Sequence, residues 1–212
     1  MVLFEDIIKS EGISSAHILG TFNKGKFELE KAGYHIPSLE ENACLRMQEG
    51  KDSQISKNKN LVREGVLYLS HKEKFLVKIS PIMFNPIEAT RVHKERSEFY
   101  LGDKEIEIFL KGSLKIPEDH FFIPTKRFGE EEITVYAFGN YAQDYGNFLK
   151  DAKIEKMPMW ISANSIIERP FARQIYFMGL YSNSSINSNS EVSSELSVIR
   201  GVKGNNLAKK LK

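Results

Sequence analysis

Two runs, LVREGVLYLS (61–70) and KFLVKISPIMF (74–84), stand three residues apart, divided by His71-Lys72-Glu73. Apolar stretches of this length joined by so short a polar turn fold back on each other as an antiparallel hairpin. The second run is nearly unbroken by polar residues, which predicts a strand inside a sheet rather than at its rim. The remaining segments have to be arranged around that pair.

Further hairpins are predicted on either side. AHILGTF (16–22) and KFELEKA (26–32) flank Asn23-Lys24-Gly25, with glycine where a positive φ is wanted. SEFYL (97–101) and KEIEIFL (104–110) flank Gly102-Asp103, and Ile106, Ile108 and Leu110 alternate with charged or aromatic neighbours. EEITVYAF (131–138), MPMWISA (157–163) and FARQIYFMGL (171–180) also read as strands. EDHFFI (118–123), held between Pro117 and Pro124, reads as an edge strand or loop.

Helical signals are fewer. Ser38 and Glu41 make a capping box, and Gly50 supplies the stop, so a helix is predicted over about 38–49. Asn85-Pro86 is a cap followed by proline at the first helical position. Tyr141, Tyr145, Phe148, Leu149 and Ala152 share one helical face, and Val2–Ser10 has the spacing of a short helix ending before Gly12.

The expected class is α+β, with a mostly antiparallel sheet built from hairpins. Residues 26–110 follow the βαββαβ order of a ferredoxin-like fold, and residues 131–180 add a βαββ segment. The expected body spans 1–181, divisible near 115/116, and 182–212 reads as a linker and tail. Ten of the fourteen residues from Tyr181 to Ser194 are serine or asparagine, too little apolar area to offset ordering entropy.

Charge is uneven along the chain. Arg200, Lys203, Lys209, Lys210 and Lys212 contain no acidic neighbour, and removing these five from the net +2 leaves residues 1–199 at −3. Lys51, Lys57, Lys59 and Arg63 crowd the loop before the central hairpin, while Arg91 and Lys94 sit on the second predicted helix. Exposed lysine and arginine neutralise phosphates, so these residues are the expected nucleic-acid contacts. The first expectation is therefore a nucleic-acid-associated protein, a subunit of a larger assembly. The second is a protein-interaction module, or a homo-oligomer, whose tail docks through Leu196, Val198, Ile199, Leu207 and Leu211. The third is a metal-dependent hydrolase around Glu118, Asp119 and His120, where two acids adjoin a histidine.

Other chemistries find no support. The five histidines are scattered, without HExxH or CxxC spacing, and neither a phosphate loop nor a GxSxG elbow occurs, so no cofactor is expected. A single cysteine, Cys44, excludes an internal disulfide and reads as a small buried side chain. Without a secretory signal or an 18-residue apolar run, the expected location is cytoplasmic.

Overall fold

A computed structural model describes residues 4–10, 13–162, 167–188, 192–193 and 197–204. Two strands come first, β1 (Phe4–Ser10) and β2 (Ile13–Leu19), followed by α1 (Phe22–Lys31), α2 (Leu39–Glu49) and the short α3 (Gln54–Lys57). β3 (Asn60–Tyr68) and β4 (Lys74–Val77) form the predicted hairpin, with α4 (Pro86–Lys94), β5 (Phe99–Tyr100) and α5 (Asp103–Leu110) after it. β6 (Leu114–Ile116) and β7 (His120–Pro124) lead to α6 (Glu132–Phe138) and α7 (Ala142–Asp151). β8 (Lys156–Trp160), β9 (Phe171–Phe177), β10 (Ile186–Asn187) and β11 (Val198–Gly204) are the last of the described elements.

The strands form two sheets. The larger runs β6-β4-β3-β9-β10-β8-β7, with β5 paired to β9, and the smaller runs β1-β2-β11. Among these pairings only β8 with β10 is parallel. β3 and β9 lie at the centre and are buried on both faces, which explains why their sequences are apolar almost throughout. Val62, Val66 and Tyr68 of β3, with Phe171, Ile175 and Phe177 of β9, pack in a core beneath α2, α6 and α7. Leu61 and Leu67, with Ala172 and Tyr176, face a second core built with α1, α4, β2 and β11. Between Leu61 and Gly65 the β3–β9 register shifts, and the Gln174 amide donates to the carbonyls of Val62 and Glu64 that the ladder leaves there.

The class is α+β and mostly antiparallel, as expected, but the order is not ferredoxin-like. Three segments expected as strands are helices. KFELEKA belongs to α1, which buries Phe22, Gly25 and Leu29. Gly25 supplies close approach instead of a turn, since a Cβ there would meet Ile199 Cγ1 at 2.7 Å. KEIEIFL is α5, whose start is closed by the Glu105 carboxylate accepting from the Gly102 N–H at 2.8 Å. EEITVYAF is α6, burying Ile133, Thr134, Ala137 and Phe138, a helical stripe rather than an alternating one. In the opposite direction, Phe4–Ser10 is a strand and not a helix. The capping box at Ser38, the proline start at Pro86 and the α7 helix are present as expected.

The Ser/Asn segment is corrected where it is described. Ser184 and Ser188 are fully buried, the first bonded to Arg46 and Tyr145 and the second to the Tyr68 hydroxyl at 2.5 Å. Val198–Gly204 pairs along the whole of β2. Leu196, Leu207, Lys209, Lys210, Leu211 and Lys212 lie outside the described residues. Among the described residues no helix is long and apolar enough to cross a membrane.

Candidate functional site

Backbone geometry sorts the side chains of β7 and β8 into two faces. The strands are antiparallel, with His120 opposite Trp160, Phe122 opposite Pro158 and Pro124 opposite Lys156. The Ile161 N–H donates to the Asp119 carbonyl at 2.8 Å and the Thr125 N–H to the Glu155 carbonyl at 2.9 Å. Hydrogen-bonded pairs therefore fall on the odd-numbered residues of β7. Pro124 and Pro158 both occupy non-hydrogen-bonded positions of this pairing, where the missing N–H removes no bond between the two strands.

Phe121, Ile123, Met157 and Met159 point to the core beneath the sheet. His120, Phe122 and Trp160 point the other way and form one aromatic group. The His120 and Trp160 rings are 5.1 Å apart and tilted at 58°, and Phe122 meets Trp160 edge-on at 6.0 Å. Phe122 is 56% exposed and Trp160 38%. Rings at these distances gain from edge-to-face contact, yet their outer faces still meet water.

Rigid neighbours hold this surface. Asp119 forms an ion pair with Lys74 of β4, whose side chain is almost fully buried; burial pulls its ammonium below the ordinary lysine value. Asn187 of β10 lies beside Trp160 in register, and the Ser188 N–H donates to the Trp160 carbonyl at 3.2 Å. A groove lined by His71, Lys72, Glu73, Lys115, Ile116 and Pro117 opens next to the start of β7. Its rim includes two consecutive left-handed residues, His71 and Lys72, each at φ 63°.

Among the described residues the expected phosphate contacts are spread over separate parts of the fold. Arg200 is an interior residue, 1% exposed, donating to Asn60 Oδ1 at 3.0 Å and Ser15 Oγ at 3.3 Å. Arg91 is clamped on α4 between Glu88 and Glu95 at 2.6 and 2.7 Å, which cancels its charge locally. Arg63 is half-buried on β3, and Lys57 pairs with Asp52 at 3.5 Å. Lys59 lies over the Tyr176 ring and Lys203 over Tyr34, while Lys51 and Lys94 are exposed on separate elements. The Glu118–Asp119–His120 trio is likewise not a metal centre: Asp119 is turned to Lys74 and His120 to Trp160. No group of three or more His, Cys, Asp or Glu side chains suited to a metal occurs among the described residues.

Sequence reasoning found the edge strand but not its aromatic face. Phe122 and Trp160 are ordinary strand residues by composition, and only the pairing register reveals that they share a side with His120. A second exposed apolar surface is formed by Phe27 on α1 beside Pro86 and Ile87 of α4.

No family model and no curated protein matches the chain. Among solved structures it is similar to a Nanoarchaeota protein whose C-type lectin fold accommodates massive sequence variation, with a TM-score of 0.65 and 15% identity. The match covers 94% of this chain and 100% of the other. It overturns the ferredoxin-like order and, with Arg200 buried and Arg91 neutralised, the expectation of nucleic-acid association. The architecture around β3 and β9 is that of the C-type lectin fold.

Proposed function

We propose that this chain is a recognition module that binds a protein partner through the outer face of β7 and β8. The observation that supports it most directly is the exposed aromatic group of Phe122, Trp160 and His120 on two rigid strands. Large exposed apolar side chains cost solvation in the free protein, and covering them recovers that cost; tryptophan, tyrosine and arginine dominate such contacts. The fold agrees with this reading. A scaffold that keeps its shape while its sequence varies widely, as the similar Nanoarchaeota protein does, is suited to carrying binding surfaces.

The test compares the wild-type chain with Phe122→Ser and Trp160→Ala on a displayed peptide library and on a glycan array. Peptide capture that falls at least about tenfold in both variants, with unchanged melting temperature, is the expected result. Saccharide capture lost in Trp160→Ala would move the partner to a glycan. Capture indifferent to both substitutions would remove the surface from consideration.

A further inference from the structure

We propose that the free edge of β7 takes up an extended segment of the partner protein as an additional strand. This rests on the reading of β7 and β8 as the recognition surface and specifies how the partner is held. The phase of the β7–β8 ladder carries it. Odd-numbered residues of β7 bond to β8, so the N–H and C=O groups of His120 and Phe122 point away from it. β7 is the last strand of its sheet, and no described residue takes up those groups.

The two ends of the large sheet are treated differently. β6, at one end, is three residues long, and its middle residue is the exposed Lys115, paired with Glu73 at 2.5 Å. Short length and a central lysine are the devices that keep edges from pairing. β7, at the other end, reads His-Phe-Phe-Ile-Pro, without a charged side chain and with proline only at its last position. An edge left open beside exposed aromatic rings is suited to strand addition, in which main-chain bonds supply affinity and alternate side chains supply selectivity.

The geometry also fixes the chemistry of the incoming segment. Pro117 precedes β7 and Pro124 ends it, so the added strand pairs over about four residues. Its side chains on the aromatic side lie along Phe122, which calls for apolar or β-branched residues at alternate positions. Exposed charges of both signs flank β7: Glu118 precedes it, near Lys72 and Lys115, and Lys126, Glu155 and Lys156 lie at its far end. The fitting segment is apolar in the middle and polar or charged at both ends.

The experiment is amide hydrogen exchange on the full chain by NMR, with a synthetic linear peptide selected from a displayed library. In the free protein the His120 and Phe122 amides should exchange at least about tenfold faster than those of Phe121 and Ile123; saturating peptide should slow them to match. A second measurement needs no protein variant: N-methylation at alternate peptide positions should abolish binding in one phase and spare it in the other. Binding that is lost in Trp160→Ala, yet leaves both amides fast and ignores the methylation phase, overturns strand addition while the recognition surface stands. Binding indifferent to Trp160→Ala overturns both, and a library without any binder overturns strand addition. Slow exchange of both amides without peptide, growing with protein concentration, would show a second copy on the edge and also overturn it.

Discussion

Two regions of this molecule break the rule that polar groups face water and apolar groups do not, and they break it in opposite senses. Where α2, β3 and β11 meet, ionisable groups are buried: Arg46, Arg200 and Glu64 are each exposed by 1% or less. On β7 and β8, aromatic rings are exposed instead. In the interior the departures have partners. Arg46 donates to the Tyr145 hydroxyl, the Ser184 hydroxyl and the carbonyls of Met178 and Phe177, and its guanidinium lies 3.9 Å from the Phe177 ring centre. Glu64 accepts the Leu39 N–H at the start of α2 at 2.9 Å. On the outer face Phe122 touches Trp160 yet keeps 56% of its surface in water. A polar group bound from within belongs to the scaffold; apolar surface left to water is available for a partner.

Breaking the interior side of this comparison should have the largest effect. Arg46→Ala leaves four acceptors without their donor and opens the space its stem fills, so we expect a loss of about 3 kcal/mol or more in urea unfolding. Arg200→Ala frees Asn60 and Ser15 and loosens β11 from β3, with an expected cost of about 2 kcal/mol by the same measurement. Burial depresses both guanidinium pKa values, in agreement with groups held without a carboxylate hydrogen-bond partner among the described residues.

Glu64 gives the comparison a pH dependence. Burial pushes its carboxyl from the ordinary value of 4.5 up to about 8, with Arg63 and Lys78 pulling weakly the other way. A carboxyl raised in the folded state stabilises by staying neutral. That contribution is complete below about 4.5 and is lost as pH rises through about 8. Melting temperature should therefore decline between pH 5 and 8 by more in the wild type than in Glu64→Gln, which cannot ionise.

The outer face should behave in the reverse way. Trp160→Ala and Phe122→Ser are expected to change stability by under about 1 kcal/mol, because Phe122 is 56% and Trp160 38% solvated already, while partner binding falls at least about tenfold. Ile87→Ser on α4, at a residue 72% exposed, should leave both unchanged and so shows that exposure alone does not make the site.

Legibility in the sequence followed the range of the signal. The α2 capping box and the Pro86 start are satisfied within four residues, so local chemistry decided them. α6 was misread because an eight-residue window cannot separate periods of 2 and 3.6 when Ile133, Val135 and Ala137 alternate by chance. The serines of 182–188 looked like linker because composition ignores partners; Ser184 and Ser188 are buried because Arg46, Tyr145 and Tyr68 need hydroxyls beside them. The edge position of β7 was visible in its flanking prolines. Its aromatic face was not, since it depends on a pairing between residues some forty positions apart.

A β7–β8 face that binds a partner has to do so without contributing to the fold. The deciding measurement is a calorimetric titration of a library-selected peptide into the wild type and Trp160→Ala, alongside thermal melting of both. Loss of binding with an unchanged melting temperature is the predicted result. Equal binding in the two proteins, or a Trp160→Ala chain that no longer folds, would contradict it and return Trp160 to the scaffold.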